Sequence, residues 1–275
     1  MSVWFITGAS RGFGREIARE ALRRGDRVVA TARDAGSVSA AFPQADDRLF
    51  AVDLDVHLPD QINAAVDAAI ERFGRIDVLV NNAGRGLVGA VEETSDAEAR
   101  AAFDVNVFGL LDVTRAVLPH LRSQRSGLIV NLSSVGGFVS WAGWGVYCAT
   151  KFAVEGLSDA MAQELAPMGI RVTAIEPGPF RTDFLDATSL HVADAQIADY
   201  SESGGSARSW AVESNKEQAG DPRKAAAIIV DLAGRPDLPP RIQLGANAIN
   251  DVAAKLERTA KDQEQWRDIG LSADY

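Results

Sequence analysis

Residues 3–18 read VWFITGASRGFGREIA. An apolar run rich in β-branched and aromatic residues ends at Ile6, a glycine-rich turn follows, and a helical pattern opens at Gly12. Strand, glycine turn and helix in this order form the unit that binds a nucleotide diphosphate. Gly8, Gly12 and Gly14, spaced as GxxxGxG, permit the tight turn and let the backbone approach the phosphates, whose charge then faces the N–H groups at the helix start. Ser10, Arg11 and Phe13 complete the loop as candidate cofactor contacts. The other reading of these residues is a tight turn that binds nothing.

Outward from this unit the same alternation repeats. Six more strand-like runs follow, RVVATAR, RLFAVDLD, IDVLVNNAG, GLIVNLSS, IRVTAIEPG and PRIQLG. Most are apolar over consecutive residues, as expected of a parallel sheet covered on both faces. Helical patterns lie between them near 12–25, 59–73, 95–125, 147–168 and 222–233, several ending at Gly or Pro. The expected fold is a single α/β domain over residues 1–275, a doubly wound parallel sheet of about seven strands with helices on both faces. Ligands of such sheets bind beyond the carboxyl ends of the strands. Two parts stand apart: an irregular stretch at 183–220, where SESGGSARS breaks the helical pattern and which reads as either a mobile lid or a disordered insertion, and an amphipathic tail at 246–275.

Composition narrows the function classes. With 38 acidic against 28 basic residues the net charge is -10, which argues against nucleic acid or an anionic membrane as partner. No apolar run reaches the roughly 18 residues of a membrane span. The first strand begins at Val3, leaving no room for a signal peptide, so a cytoplasmic location is expected. The single cysteine, Cys148, excludes an intramolecular disulfide and reads as a small buried apolar residue. No metal site is expected: Asp53, Asp55 and His57 alternate along DLDVH, sharing a face without converging, and the 3 histidines show no ligand spacing.

The second strand selects the nucleotide. An NAD site usually places an acidic residue about 20 positions beyond the glycine turn, to accept from the ribose 2′-hydroxyl. Here Ala32 and Arg33 occupy the strand end and Asp34 follows one step later. Arg33, helped by Arg11, suits a 2′-phosphate, so NADP(H) is favoured over NAD(H).

Chemistry is suggested by VYCATKFAVEG at 146–156, which sets Tyr147 and Lys151 four positions apart on one helix face. A phenol is a poor base at neutral pH, and a nearby cation favours its phenolate, so Tyr147 could trade a proton with a substrate oxygen. Ser134, in VNLSSVGG at the end of the fifth strand, can donate to a carbonyl, although Ser133 and Ser134 could equally just close the strand. Asn106 lies inside a helical pattern it does not favour, either at an irregularity serving an ordered water or simply at the surface.

Together TGASRGFG, NNAG at 81–84, NVFG at 106–109, NLSS at 131–134, YCATK at 147–151 and EPGPFRT at 176–182 resemble the motifs of the short-chain dehydrogenase/reductase family, in its order and spacing, over about residues 3 to 185. The resemblance implies a Rossmann-type oxidoreductase. It implies Tyr147 as general acid/base, Lys151 as its modulator and a ligand of the nicotinamide ribose, Ser134 as carbonyl orienter and Asn106 as holder of a relay water. It also implies that Asp55 contacts the adenine, that Asn81, with Ala83 and Gly84, lines the cofactor cleft, and that Pro177, Gly178 and Thr182 border the nicotinamide and diphosphate. A homo-oligomer, dimer or tetramer, is implied as well. The tail after RIQLG departs from the family's shorter reductases.

Phe138, Trp141 and Trp144 stand between Ser134 and Tyr147, so they and Trp210 are candidates for an apolar pocket that takes a bulky hydrophobic ketone or alcohol, or else for core or interface packing. The leading function is an NADP(H)-dependent oxidoreductase interconverting a carbonyl and an alcohol. The alternatives are a catalytically silent NADP(H)-sensing protein of the same fold and a sugar-nucleotide epimerase or dehydratase.

Overall fold

The computed structural model describes all 275 residues. Each of the strand-like runs pairs into one parallel sheet: β1 (Val3–Ile6), β2 (Arg27–Ala32), β3 (Leu49–Asp53), β4 (Val78–Asn81), β6 (Gly127–Leu132), β7 (Ile170–Pro177) and β9 (Arg241–Leu244), in the order β3-β2-β1-β4-β6-β7-β9. A separate parallel pair joins β5 (Gly86–Val88) to β8 (Leu190–Val192). The helices are α1 (Gly12–Arg23), α2 (Ala35–Ala41), α3 (Pro59–Phe73), α4 (Asp96–Phe103), α5 (Leu110–Gln124), α6 (Gly145–Leu165), α7 (Ser206–Glu213), α8 (Pro222–Ala233), α9 (Ala246–Gln265) and the short α10 (Arg267–Leu271).

The apolar runs are continuous because alternate residues feed opposite layers. Trp4 and Ile6 pack with Ile17, Ala18 and Ala21 of α1 and Ala226 and Ile229 of α8, whereas Val3 and Phe5 pack with Ile62 and Val66 of α3, Val117 and Leu121 of α5 and Met161 of α6. A strand buried on both faces gains from an apolar side chain at every position. Strand order reverses between β1 and β4, and such a reversal opens a crevice at the carboxyl ends of the strands.

Four features differ from the sequence expectations or sharpen them. The helical pattern at 95–125 is three elements, since a π-helical turn at Asp104–Gly109 separates α4 from α5. The stretch at 183–220 is ordered, with β8, a π turn at Ser201–Gly205 and α7 following one another. Its glycines serve close packing and do not break the helix: a Cβ on Gly204 would lie 2.7 Å from Glu93 Oε2 and 3.1 Å from the Ala90 nitrogen. Phe138 lies outside the cluster around Tyr147 and packs with Val135, Val139, Ala248 and Val252, the last two on α9, because the tail helix offers it an apolar face. Finally, Asp55 and His57 do converge, with His57 Nδ1 2.8 Å from Asp55 Oδ1, because β3 ends at Asp53 and strand alternation stops there.

Candidate active site

The first wall of the crevice is the glycine loop between β1 and α1. Gly8 and Gly12 take the left-handed region at φ 65° and 54°, open to glycine at little cost. Gly14 has no room for a side chain, since its Cβ would fall against the Gly8 carbonyl oxygen and 2.5 Å from the Asn82 amide nitrogen. Asn82 braces the loop, its amide donating to the carbonyl oxygens of Thr7 (2.8 Å) and Gly8 (3.0 Å), while Thr7 Oγ1 accepts from the nitrogens of Asn82 and Ala83. Arg11 caps α1 without a side-chain bond, and no acidic residue lies in the first turn. Thr182 faces the loop, its Cβ 3.8 Å from where Gly12 would carry one. Unobstructed N–H groups, glycines that a Cβ would jam and a hydroxyl opposite them fit the diphosphate of a dinucleotide.

At the end of β2, Arg33 is exposed. Asp34 is spent as the N-cap of α2, accepting from Gly36 at 2.9 Å. Burial pushes the Asp55 carboxyl up, but bonds from His57 and the nearby Arg33 charge outweigh it and leave it below its ordinary value. Arg11 is not free to assist Arg33: its guanidinium donates to Thr188 Oγ1 (2.9 Å) and to the Thr188 carbonyl (3.0 Å). The Asn81 side chain is turned inward and donates to Thr114 and Asn131, both at 2.9 Å, which leaves its main chain at the cleft. Pro177 and Gly178 close β7, and Gly178 packs on α9 near Ala248.

The second wall is the amino end of α6. A Cβ on Gly136 would lie 3.2 Å from Ser134 Oγ and 3.4 Å from Tyr147 Cε1, so the serine and the phenol flank one spot. Ser134 Oγ accepts from the Gly136 nitrogen at 3.0 Å, which orients it. Lys151 Nζ lies 6.0 Å from the centre of the Tyr147 ring and donates to the Leu132 carbonyl at 2.8 Å. Gly84 brings the last member close, because its Cβ would sit 3.2 Å from Asn106 Oδ1 and 3.8 Å from Lys151 Nζ. Asn106 lies in the π turn and is 1% exposed. Its amide donates to the Arg85 carbonyl and to Thr150 Oγ1, both at 3.0 Å, and its Oδ1 accepts from the Arg85 nitrogen. Both amide hydrogens are thus engaged, so the side chain has no donor left for a water.

Burial decides the charges. Tyr147 is 8% exposed, and desolvation pushes its phenol well above the ordinary value, with the Ser134 hydroxyl opposing. Burial thus opposes the lowering of the phenol expected from Lys151. Burial pulls Lys151 down to about 8, the charge of Glu155 opposing. Cys148 is buried, and burial raises its thiol to about 11, which suits an inert apolar residue.

Around the phenol stands an aromatic wall. Trp144 meets Tyr147 edge to face at 5.9 Å and Trp210 at 6.0 Å, and Phe184 tilts against Tyr147 at 5.4 Å. Trp144 is buried in one cluster with Tyr147, Trp141 and Trp210 are exposed, and Phe184 was not anticipated because nothing local ties it to Tyr147. Thr150, Thr7 and Asn82 were missed for the same reason. The 183–220 stretch is tethered by buried Glu93, which pairs with Arg208 at 2.6 Å and accepts from the Ile197 nitrogen. Glu98 bonds His191 Nε2 at 2.8 Å and the Asp194 nitrogen at 2.9 Å, so the Glu98, His191 and Asp194 cluster joins β8 to α4. No helix is long and apolar enough to cross a membrane.

Comparison with known proteins agrees with this geometry. The chain is 38% identical to oxidoreductase BOA17 of Botryotinia fuckeliana over 272 residues, 98% of either chain. It is 36% identical to a 3-ketodihydrosphingosine reductase of Bacteroides thetaiotaomicron, covering 87% of this chain and 86% of that one. A solved short-chain dehydrogenase from Streptomyces avermitilis superposes with a TM-score of 0.92 at 40% identity, over 100% of both chains. A short-chain dehydrogenase/reductase from Burkholderia phymatum, solved in complex with NAD, gives 0.84 at 26% identity over 95% of each. The short chain dehydrogenase family model matches residues 2–192. With this match, the αβ fold and the nucleotide crevice in agreement, the chain belongs to the short-chain dehydrogenase family of nicotinamide-dependent oxidoreductases, which act on CH–OH and C=O groups.

Proposed function

We propose that the chain is an NADP(H)-dependent oxidoreductase that interconverts a hydrophobic ketone or aldehyde with its alcohol. The observation that carries this reading is the meeting of Ser134, Tyr147 and Lys151 around one spot at the carboxyl edge of the sheet. The bound nicotinamide supplies or takes the hydride. Tyr147, held protonated by burial, gives its proton to the carbonyl oxygen as negative charge develops there. Ser134 donates to the same oxygen and orients it. The Lys151 ammonium, fixed by the Leu132 carbonyl, stabilises the phenolate left behind and is assigned the grip on the nicotinamide ribose. Asn106 positions the strand after Gly84 and the threonine beside Lys151, and its main chain serves a relay water.

Cofactor contacts are assigned to Gly8, Ser10, Gly12, Phe13 and Gly14 at the diphosphate, to Asn81, Ala83 and Gly84 along the cleft, to Asp55 at the adenine, and to Pro177, Gly178 and Thr182 at the nicotinamide end. Exposed Arg33 beside an Asp34 already committed to capping supports NADP(H) over NAD(H). Trp144 and Phe184 beside the phenol, with Trp210 against Trp144, support a bulky apolar substrate, as does similarity to a reductase of 3-ketodihydrosphingosine. The 183–220 stretch, which carries Phe184 and Trp210, is the substrate lid in this reading.

The test is oxidation of NADPH, followed by its absorbance, with aliphatic, aromatic and long-chain ketones, and the same panel with NADH. Turnover of apolar ketones with NADPH is expected. Tight NADPH binding with no ketone reduced and no alcohol oxidised would move a cofactor-sensing role to the front.

A further inference from the structure

One helical turn beyond Lys151 on α6 lies Glu155, and Ser133, whose nitrogen donates at 2.9 Å to the carbonyl of Ile175 next to Glu176 on β7, stands between the two glutamates' segments. They are 5% and 0% exposed. The turn that carries Ser134 closes over Glu155, since a Cβ on Gly137 would fall 2.6 Å from Ser133 Oγ, 2.9 Å from Glu155 Cγ and 3.0 Å from the Lys151 carbonyl oxygen. From β9, Arg241 brings Nε to 3.9 Å from Glu155 Oε2 while its other end is bonded to Asp159, and the Gln243 amide donates to Glu176 Oε2. The groups facing the pair are therefore Lys151 and Asp159 of α6, Ser133 after β6, and Arg241 and Gln243 of β9.

These partners do not satisfy the pair. Both Glu155 carboxyl oxygens, Glu176 Oε1 and Ser133 Oγ are buried without a hydrogen-bond partner. Two buried carboxylates, of which one has only a distant arginine already engaged by Asp159 and the other only a neutral amide, strongly oppose double ionisation. Protonating one turns an orphan acceptor into a donor for the other.

We propose that Glu155 and Glu176 hold one proton between them and act as positioning residues for Lys151, their single negative charge keeping the ammonium charged one turn away. The proposal rests on the reading of Lys151 as part of the proton-transfer machinery. It agrees with the direction of the charges: burial pushes Glu155 up, with Glu176 adding to the effect and Ser133 and Arg241 opposing, while Glu155 is the group that opposes the burial of Lys151. Neither glutamate needs to touch substrate.

The test is a carbon-13 NMR titration of the glutamate carboxyls in the full chain without cofactor, assigned through Glu155→Gln and Glu176→Gln. Two resonances that titrate together between about pH 5 and 9 are expected. In Glu176→Gln the Glu155 midpoint should fall by about one pH unit, because the like charge is gone. Two resonances that stay at carboxylate positions over the whole range would overturn the shared proton. The wild-type spectrum and either single variant suffice if the other does not fold. In steady-state kinetics, the double variant Glu155→Gln/Glu176→Gln should move the alkaline limb of the kcat profile about one pH unit downward, as Lys151 loses the negative charge of the pair. A uniform loss at every pH would mean a packing role and would overturn the link to Lys151. If the wild type turns over no ketone or alcohol, the reductase reading fails, while the NMR titration still decides the shared proton.

Discussion

Tyr147 shows how a single residue's role depends on its surroundings. Placed beside Lys151 by helical spacing alone, it reads as a phenol brought down by a cation; enclosed by Trp144, Phe184 and the turn after β6, it is a phenol kept protonated. Tyr147→Phe should therefore retain NADPH binding, measured by fluorescence titration, and lose about 10²–10⁴-fold in kcat, the usual worth of a positioned proton donor. Residual activity near wild type would remove Tyr147 from the proton transfer. At the adenosine end, Arg33→Ala should weaken NADPH about tenfold or more and leave NADH nearly unchanged, since a charge-assisted bond to a 2′-phosphate contributes about 1.5–3 kcal/mol. Equal losses for the two nucleotides would count against the NADP(H) preference. Both residues were legible in the sequence because strand-end and helix-turn positions are local. Arg11 was not, because its partner Thr188 lies far along the chain.

Elements carry the next set of constraints. The turn from β1 into α1 is a close approach of backbone to backbone, so Gly14→Ala should cost both stability and cofactor affinity, seen as a lower Tm and a weakened NADPH titration. A variant with wild-type affinity would show that the loop can yield. The path from Ile197 to α7 depends on Glu93, which is buried and holds Arg208 together with two backbone N–H groups. Arg208→Met strands that carboxylate, so limited proteolysis should cut between residues 194 and 213 faster than in the wild type. Unchanged cleavage would mean that the segment is held by its apolar contacts alone. In sequence this segment reads as irregular because glycine and serine disfavour helices in isolation. Its helical turn is stabilised by tertiary contacts of Gly204 with Ala90 and Glu93, which no local propensity contains.

For the whole molecule, stability should vary with pH in two opposed ways. Arg208 holds Glu93 down to about 2, and bonds from Ser95, Asp194 and His191 outweigh burial to hold Glu98 at about 2. A carboxyl lowered by folding contributes stability above its ordinary value of about 4.3 and loses it as pH falls toward its folded value, so Tm should drop between about pH 4.5 and 2. Glu155 is raised by burial to about 7, so its contribution is present below the ordinary value and lost as pH rises through neutrality. Glu155→Gln should flatten that alkaline decline in melts at pH 5 and pH 8, and an unaltered slope would assign the decline elsewhere. By itself the sequence determined the parallel α/β fold, all seven strands of the main sheet, the glycine turn and the Ser134, Tyr147 and Lys151 set, because these follow from periodicity and short spacings along one strand or helix. Only the tertiary structure decided which aromatics face the phenol, that Phe138 serves α9, that Asn106 is spent on Arg85 and Thr150, and that Glu155 and Glu176 are both buried with unpartnered carboxyl oxygens. These depend on burial and on contacts between distant segments, where desolvation and packing override what neighbours in sequence prefer.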